Sequence, residues 1–184
     1  MRNIKEILDL GTVEEKIKIL ESHSSTKNTE IIQKIISKLD DDDIKVRGEA
    51  FSALVLNENE ISDLLINSLR SQNKNIKGYA SLVLANRNDC NAIPEIIKLT
   101  NDQSSMVRAC ALGALGYLKA KQAKDVIHNC LYDSNLEVRK SALQATINLG
   151  YSLSEDKIKE MFREKDSELE RLLVNVKKSG PKGI

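Results

Sequence analysis

The sequence predicts an all-α fold, an α-solenoid (αα superhelix) of about five helix pairs plus a short N-terminal helical cap. Three observations carry that prediction. A Val-Arg motif recurs about every 31 residues, and a helix-capping residue precedes each copy at a fixed distance. The third is the apolar content, 41% of the chain, which is almost wholly aliphatic: aromatics are 3% and there is no Trp. Aliphatic interiors with few rings suit helix packed on helix, and only two prolines interrupt the 184 residues.

The repeat emerges when the chain is laid on itself. The copies are "DIKVRGEAFSAL", "NKNIKGYASLVL", "SSMVRACALGAL" and "NLEVRKSALQAT". Their apolar members, Val46, Ile76, Val107 and Val138, stand 30, 31 and 31 residues apart, each followed by Arg47, Lys77, Arg108 or Arg139. Ala50, Ala80, Ala111 and Ala142 come one turn later. Three residues before each apolar member lies Asp43, Asn73, Ser104 or Asn135, all side chains that accept the free N–H groups of a first helical turn. Another step of 31 reaches Asp166, followed by Leu169, Leu173 and Val176. That last copy carries Glu170 and Leu173 in place of the basic residue and the alanine, as an end repeat facing water does.

A first helix precedes each capped one. Its inward column reads Ile35, Leu65, Ile96, Ile127 and Ile158, then Leu39, Leu69, Thr100, Leu131 and Phe162, at helical period. At the N-terminus a short helix is expected around Ile4 to Leu10. "TVEE" then has the form of a capping box, with Thr12 as cap and Glu15 reaching back. The expected layout is a cap and loop over 1–28, repeats over 29–58, 59–88, 89–119 and 120–150, a degenerate capping repeat over 151–178, and a flexible basic tail over 179–184.

A unit reading L-x-D-x-cap-x-x-V-R-x-x-A-x-x-A-L resembles the short HEAT-like repeats of phycobilisome-lyase type, over 29–150 and more loosely over 151–178. The resemblance implies first helices on a convex side and second helices lining a concave one. It also implies a ladder of acids and bases between neighbouring units, placed here at Asp41 and Arg47, Asp102 and Arg108, and Asp133 and Arg139. Ser71 and Lys77 depart from the pattern, so the ladder is expected to be weakest there. Each exposed pair contributes about 0–1 kcal/mol. The alanine column contributes more by letting helices approach closely.

Charge and chemistry exclude several classes. With 28 basic and 27 acidic residues interspersed, no basic stripe stands out and a nucleic-acid partner is not expected. Cys90, Cys110 and Cys130 form no C-x-x-C pair and read as reduced thiols. With no secretory-type apolar region and no membrane-length run, a cytoplasmic protein without membrane contact is expected. Enzymes occur on the scaffold this chain resembles. The deoxyhypusine hydroxylases bind iron through His-Glu pairs, but His23 and His128 are followed by Ser and Asn. His128 falls in the column of Ile36, Ile66 and Ile97 and reads as a partly buried helix residue. The alkylpurine DNA glycosylases use aromatics and a basic face that this composition lacks. A bilin lyase would need a thiol, acid or aromatic cluster. Cys110 and Tyr117, seven residues apart, are the nearest approach, and Cys110 reads equally as a small packing residue. In "DDDD", Asp40 to Asp43, one ladder acid, one cap and two solvated charges account for all four. No catalytic residue, cofactor or metal ligand is assigned.

With Ala50 inward, positions 48, 52 and 55 of that helix fall on the opposite side. The partner-binding face is therefore expected at Gly48, Glu49 and Ser52; Gly78, Tyr79 and Leu82; Ala109, Cys110, Gly113 and Tyr117; and Lys140 and Gln144. Tyr79 and Leu82 are the expected anchors. Glycine inside a helix costs about 1 kcal/mol against alanine. Its recurrence here serves either close approach of a partner or crowding of second helices under tight curvature. The expected function is a non-enzymatic scaffold that binds a protein or peptide along its concave face, as a monomer or a weak dimer through repeat ends. The alternatives are a lyase or chaperone-like accessory to a chromophore- or metal-containing protein and, last, a nucleic-acid-associated factor.

Overall fold

The computed structural model describes residues 3–179, and among these all regular structure is helical. The fold is an α-solenoid in class, built from helix pairs. The chain divides into two compact units, Met1–Glu95 and Ile96–Ile184.

The first unit opens with α1 (Ile4–Leu10) and α2 (Val13–Ser22), each started by a complete capping box: Asn3 with Glu6, and Thr12 with Glu15. Reciprocal bonds of this kind satisfy two otherwise free N–H groups and fix each start. The helices α3 (Thr29–Ser37) and α4 (Ile44–Leu56) follow, then α5 (Ser62–Ser68) and α6 (Lys74–Asn86). Helix α1 packs on α3 and α2 on α4. The N-terminal segment is thus a helix pair in its own right, with Leu8 and Leu20 fully buried. Its Thr12 and Lys16 stand 31 residues before Asp43 and Arg47, in step with the repeat. Burial of Ile35, Leu39, Val46, Ala50, Leu54, Leu65, Ala80 and Leu84 forms the core. Each of the larger side chains contributes about 1.5–3 kcal/mol. Ile76 of the repeated column is only half-buried.

One arginine ties the turns together. Arg87 Nη1 donates to the carbonyls of Leu54 (3.0 Å) and Asn57, and Nη2 to that of Asn59 (2.9 Å). Buried Asn57 in turn donates to the Thr26 carbonyl (3.0 Å). Carbonyls that a loop would leave unsatisfied therefore meet a charged donor.

In the second unit, α7 (Ile93–Leu99) crosses the boundary and is followed by α8 (Ser105–Tyr117), α9 (Lys124–Cys130), α10 (Leu136–Asn148), α11 (Glu155–Phe162) and α12 (Ser167–Ser179). Helix α10 packs on both α8 and α12. Val107, Ala111, Leu112, Leu115, Val138, Ala142, Leu143, Leu169 and Leu173 fill the interior.

The caps vary along the chain. Asp43 accepts from Lys45 N (2.7 Å) and Val46 N (3.3 Å); Asn73, Asn135 and Asp166 each take the same pair of N–H groups. Ser104 departs from expectation: it holds the extended backbone of a cap, but its side chain makes no capping bond. The tail expected over 179–184 lies, beyond Ser179, outside the described residues.

Candidate functional site: the outer face of α4 and α6

The repeated arginines share one geometry. Nη1 donates to the backbone carbonyl six residues earlier: Arg47 to Asp41 (2.7 Å), Arg108 to Asp102 (2.9 Å) and Arg139 to Asp133 (2.6 Å). The carboxylates of those acids are engaged differently. Asp133 receives Nε and Nη2 of Arg108, both at 2.8 Å, and Glu164 receives Nε of Arg139 at 3.1 Å together with its Nη2. Lys16 reaches Asp41 at 2.8 Å across the same interval of 25 residues. Charged pairing thus runs from one helix pair to the next, while the spacing of six within a pair is closed by a carbonyl. This corrects the pairing of Asp41 with Arg47 and of Asp133 with Arg139 as side-chain partners. The reason is reach: Nη1 faces back along its own turn, leaving the Nε–Nη2 edge to meet a carboxylate bidentately.

Electrostatics follow. The Arg108 bond, opposed by burial and helped by the Asn135 N–H, holds the Asp133 carboxyl below the usual carboxylate range. Burial works to raise Asp41, but the Lys16 ammonium and the Asp43 N–H outweigh it and lower the carboxyl.

Arg47 is the exception. Its counterpart position in the next pair is Ser71, whose hydroxyl accepts the Asn73 N–H (3.1 Å). Besides the Asp41 carbonyl, Arg47 Nη1 reaches the Asp42 carbonyl (3.1 Å), and no carboxylate meets the guanidinium among the described residues. Beside it lies a groove of about 270 Å³ between α4 and α6, lined by Ile44, Arg47, Gly48, Phe51, Tyr79 and Leu82. Ile44 is 72% exposed. Gly48 is exposed with open space where a Cβ would stand.

The expected face residues divide. Gly48, Tyr79 and Leu82 meet in the groove. Ser52 is exposed and bonds the Gly48 carbonyl (3.0 Å). Glu49 is half-buried, its carboxyl raised by burial and by Glu21. Gly78, expected on the surface, is buried, because α6 packs against α3, α4 and α5 and more of its circumference is covered. In the second unit Gly113, Tyr117 and Gln144 are exposed, and Ala109 and Cys110 are half-buried. Lys140 is held by Glu137, Asp166 and Glu168 at 3.1–3.2 Å. Burial pushes the Cys110 thiol up to about 11, so it is neutral at physiological pH. His128, expected to be partly buried, is exposed and meets the Tyr132 ring edge-on at 5.9 Å.

Sequence reasoning missed Ile44, Phe51 and Lys16. The available signals were the spacing 44, 48, 51 on one helical stripe, and the place of Lys16 in the basic column. Among the described residues no group of three or more His, Cys, Asp or Glu side chains could hold a metal ion, and no helix is long and apolar enough to cross a membrane.

Helix pairs joined by base–carboxylate steps at Lys16, Arg108 and Arg139, with part of each second helix turned outward, define a helical-repeat fold. The family profile for HEAT repeats matches residues 62–146. Among solved structures, the complex of CpcE and CpcF of phycocyanin lyase from Nostoc sp. is similar with 19% identity over 82% of this chain and 99% of that one, TM-score 0.68. A designed armadillo repeat protein in complex with the peptide (KR)4 aligns at 18% identity over 96% of this chain and 97% of that one, TM-score 0.57. The archaeal HEAT-like repeats protein from Thermococcus onnurineus NA1 aligns at 15% over 96% and 78%, TM-score 0.53. At these identities the likeness is one of fold. No curated protein sequence matches significantly.

Proposed function

We propose that this chain is a non-enzymatic scaffold that binds a protein or peptide on the outer face of its second helices, with the α4–α6 groove as the principal contact. The observation that carries this reading is the groove itself. Exposed Ile44, half-buried Phe51, Tyr79 and Leu82, and the open backbone at Gly48 form an apolar concavity beside a guanidinium that lacks a carboxylate. Binding energy in such sites concentrates in a few anchors set in a pocket, and Tyr79 and Leu82 are placed to form one. Peptide recognition by the designed armadillo relative supports the reading by analogy of fold.

Co-purification from the native cell tests it. The same partner should accompany the wild-type chain and Asp63→Lys, which alters an exposed residue of α5, and be lost from Leu82→Gln and Gly48→Gln. Retention by all four, with helical content unchanged, contradicts the proposal.

A second reading, an accessory to a chromophore-bearing protein, draws on the likeness to the CpcE–CpcF complex. A neutral, half-buried Cys110 offers it no thiolate. A red shift or sharpening of free bilin absorbance on mixing would favour it.

A further inference from the structure

From the unanswered guanidinium beside the groove, we infer that the occupant of the α4–α6 groove is an acidic, apolar peptide segment whose carboxylate binds the Nε–Nη2 edge of Arg47 while an adjacent aliphatic side chain enters between Phe51, Tyr79 and Leu82. The inference rests on the proposed binding role and adds the chemistry of the partner.

Three copies of one arginine geometry carry it. In each, Nη1 is fixed by the carbonyl six residues earlier. In two of them the opposite edge of the fork is filled by a carboxylate from the next helix pair, Asp133 or Glu164. Arg47 is pre-positioned in the same way, but the position that supplies the carboxylate in the other copies is Ser71, whose hydroxyl accepts the Asn73 N–H and carries no negative charge. A planar fork held at one edge selects a planar, bidentate anion at the other. The same arginine lines the apolar groove, so one ligand reaches both.

The surrounding charge agrees. The first turns of α4 and α6 contain no acidic residue and carry Lys45 and Lys74 besides Arg47. Of the four aspartates before α4, Asp40 receives Asn73 and Asn75, Asp41 pairs with Lys16, Asp43 caps α4, and Asp42 is exposed with its carbonyl, not its carboxylate, on Arg47. At the groove itself the charged group that no carboxylate meets among the described residues is Arg47, which favours an anion over a cationic peptide such as (KR)4.

Fluorescence anisotropy on the full chain tests this with two labelled peptides of equal length, one alternating glutamate with leucine, the other lysine with leucine. The glutamate peptide should bind and the lysine peptide should not. Arg47→Gln should weaken binding by about ten-fold or more, the scale of a lost charged hydrogen bond. Ser71→Asp supplies the acceptor that the other copies have and should also abolish binding, while raising the unfolding midpoint, so misfolding cannot mimic its effect. Equal or tighter binding of the lysine peptide, no binding of the glutamate peptide, or binding indifferent to both substitutions overturns the inference. If cellular co-purification still depends on Leu82 but not on Arg47, the binding role stands and only the acidic chemistry falls. If it depends on neither, both fall.

Discussion

Two glycines on outer-facing helices have opposite reasons to be there. A Cβ at Gly48 would meet nothing within 4 Å. A Cβ at Gly116 would lie 2.8 Å from the Ala145 Cα and 3.0 Å from its Cβ. Gly116 therefore allows α8 and α10 to close on each other, while Gly48 widens a groove and serves no packing. Gly48→Ala should stabilise the chain by about 0.5–1 kcal/mol, because alanine loses less backbone freedom inside a helix. Gly116→Ala should destabilise it by about 1–3 kcal/mol through overpacking against rigid backbone. Urea denaturation of the two variants checks both signs, and a shared sign would contradict the assignment. Of the two alternatives left open by the sequence, helix crowding thus accounts for Gly116 and does not account for Gly48.

At the scale of elements, two steps between helix pairs, Arg108 on Asp133 and Arg139 on Glu164, are arginine forks on carboxylates, and the strength of such a step depends on pH. Asp133 titrates below the usual range in the folded chain, chiefly through its bond with Arg108, and near about 3.9 when unfolded. Since the folded value is the lower one, the pair's contribution is complete above about 3.9 and disappears as pH falls through the folded value. Asp133→Asn should cost about 1–3 kcal/mol near neutrality, the range for a charged hydrogen bond with partial solvent screening. The gap between wild type and variant should begin to shrink as pH falls below about 3.9 and close below the folded value in acid denaturation. A gap of constant size from neutral to strongly acid solution would show that the ion pair is not its source. Lys16 with Asp41 is another such step, reaching from the N-terminal helix pair to the 3₁₀ turn before α4.

Across the whole molecule, what could be read from sequence divides by how local the physics is. Caps at Asp43, Asn73 and Asn135 were readable because an Asx side chain bonds its own first turn, whatever surrounds it. The buried columns at Val46, Val107 and Val138 were readable because they recur. The phase of the outer face was not. Helix α4 is apolar nearly all round, with Ile44 and Leu56 exposed and Val46, Ala50, Ala53 and Leu54 buried, so periodicity alone could not set which stripe faces out. Taking Ala50 as inward puts it at 48, 52 and 55; the groove lies along 44, 48 and 51. The N-terminal pair hid for a different reason. Thr12 and Lys16 keep the register, but Ile19 stands where the other copies have alanine.

The measurement closest to the central claim is site-specific photo-crosslinking in the native cell. A photoreactive residue at Leu82, on the groove, is compared with one at Gln33, exposed on α3. The account predicts a discrete crosslinked partner from position 82 and none from position 33. The same adduct from both positions, or from position 33 alone, would contradict it.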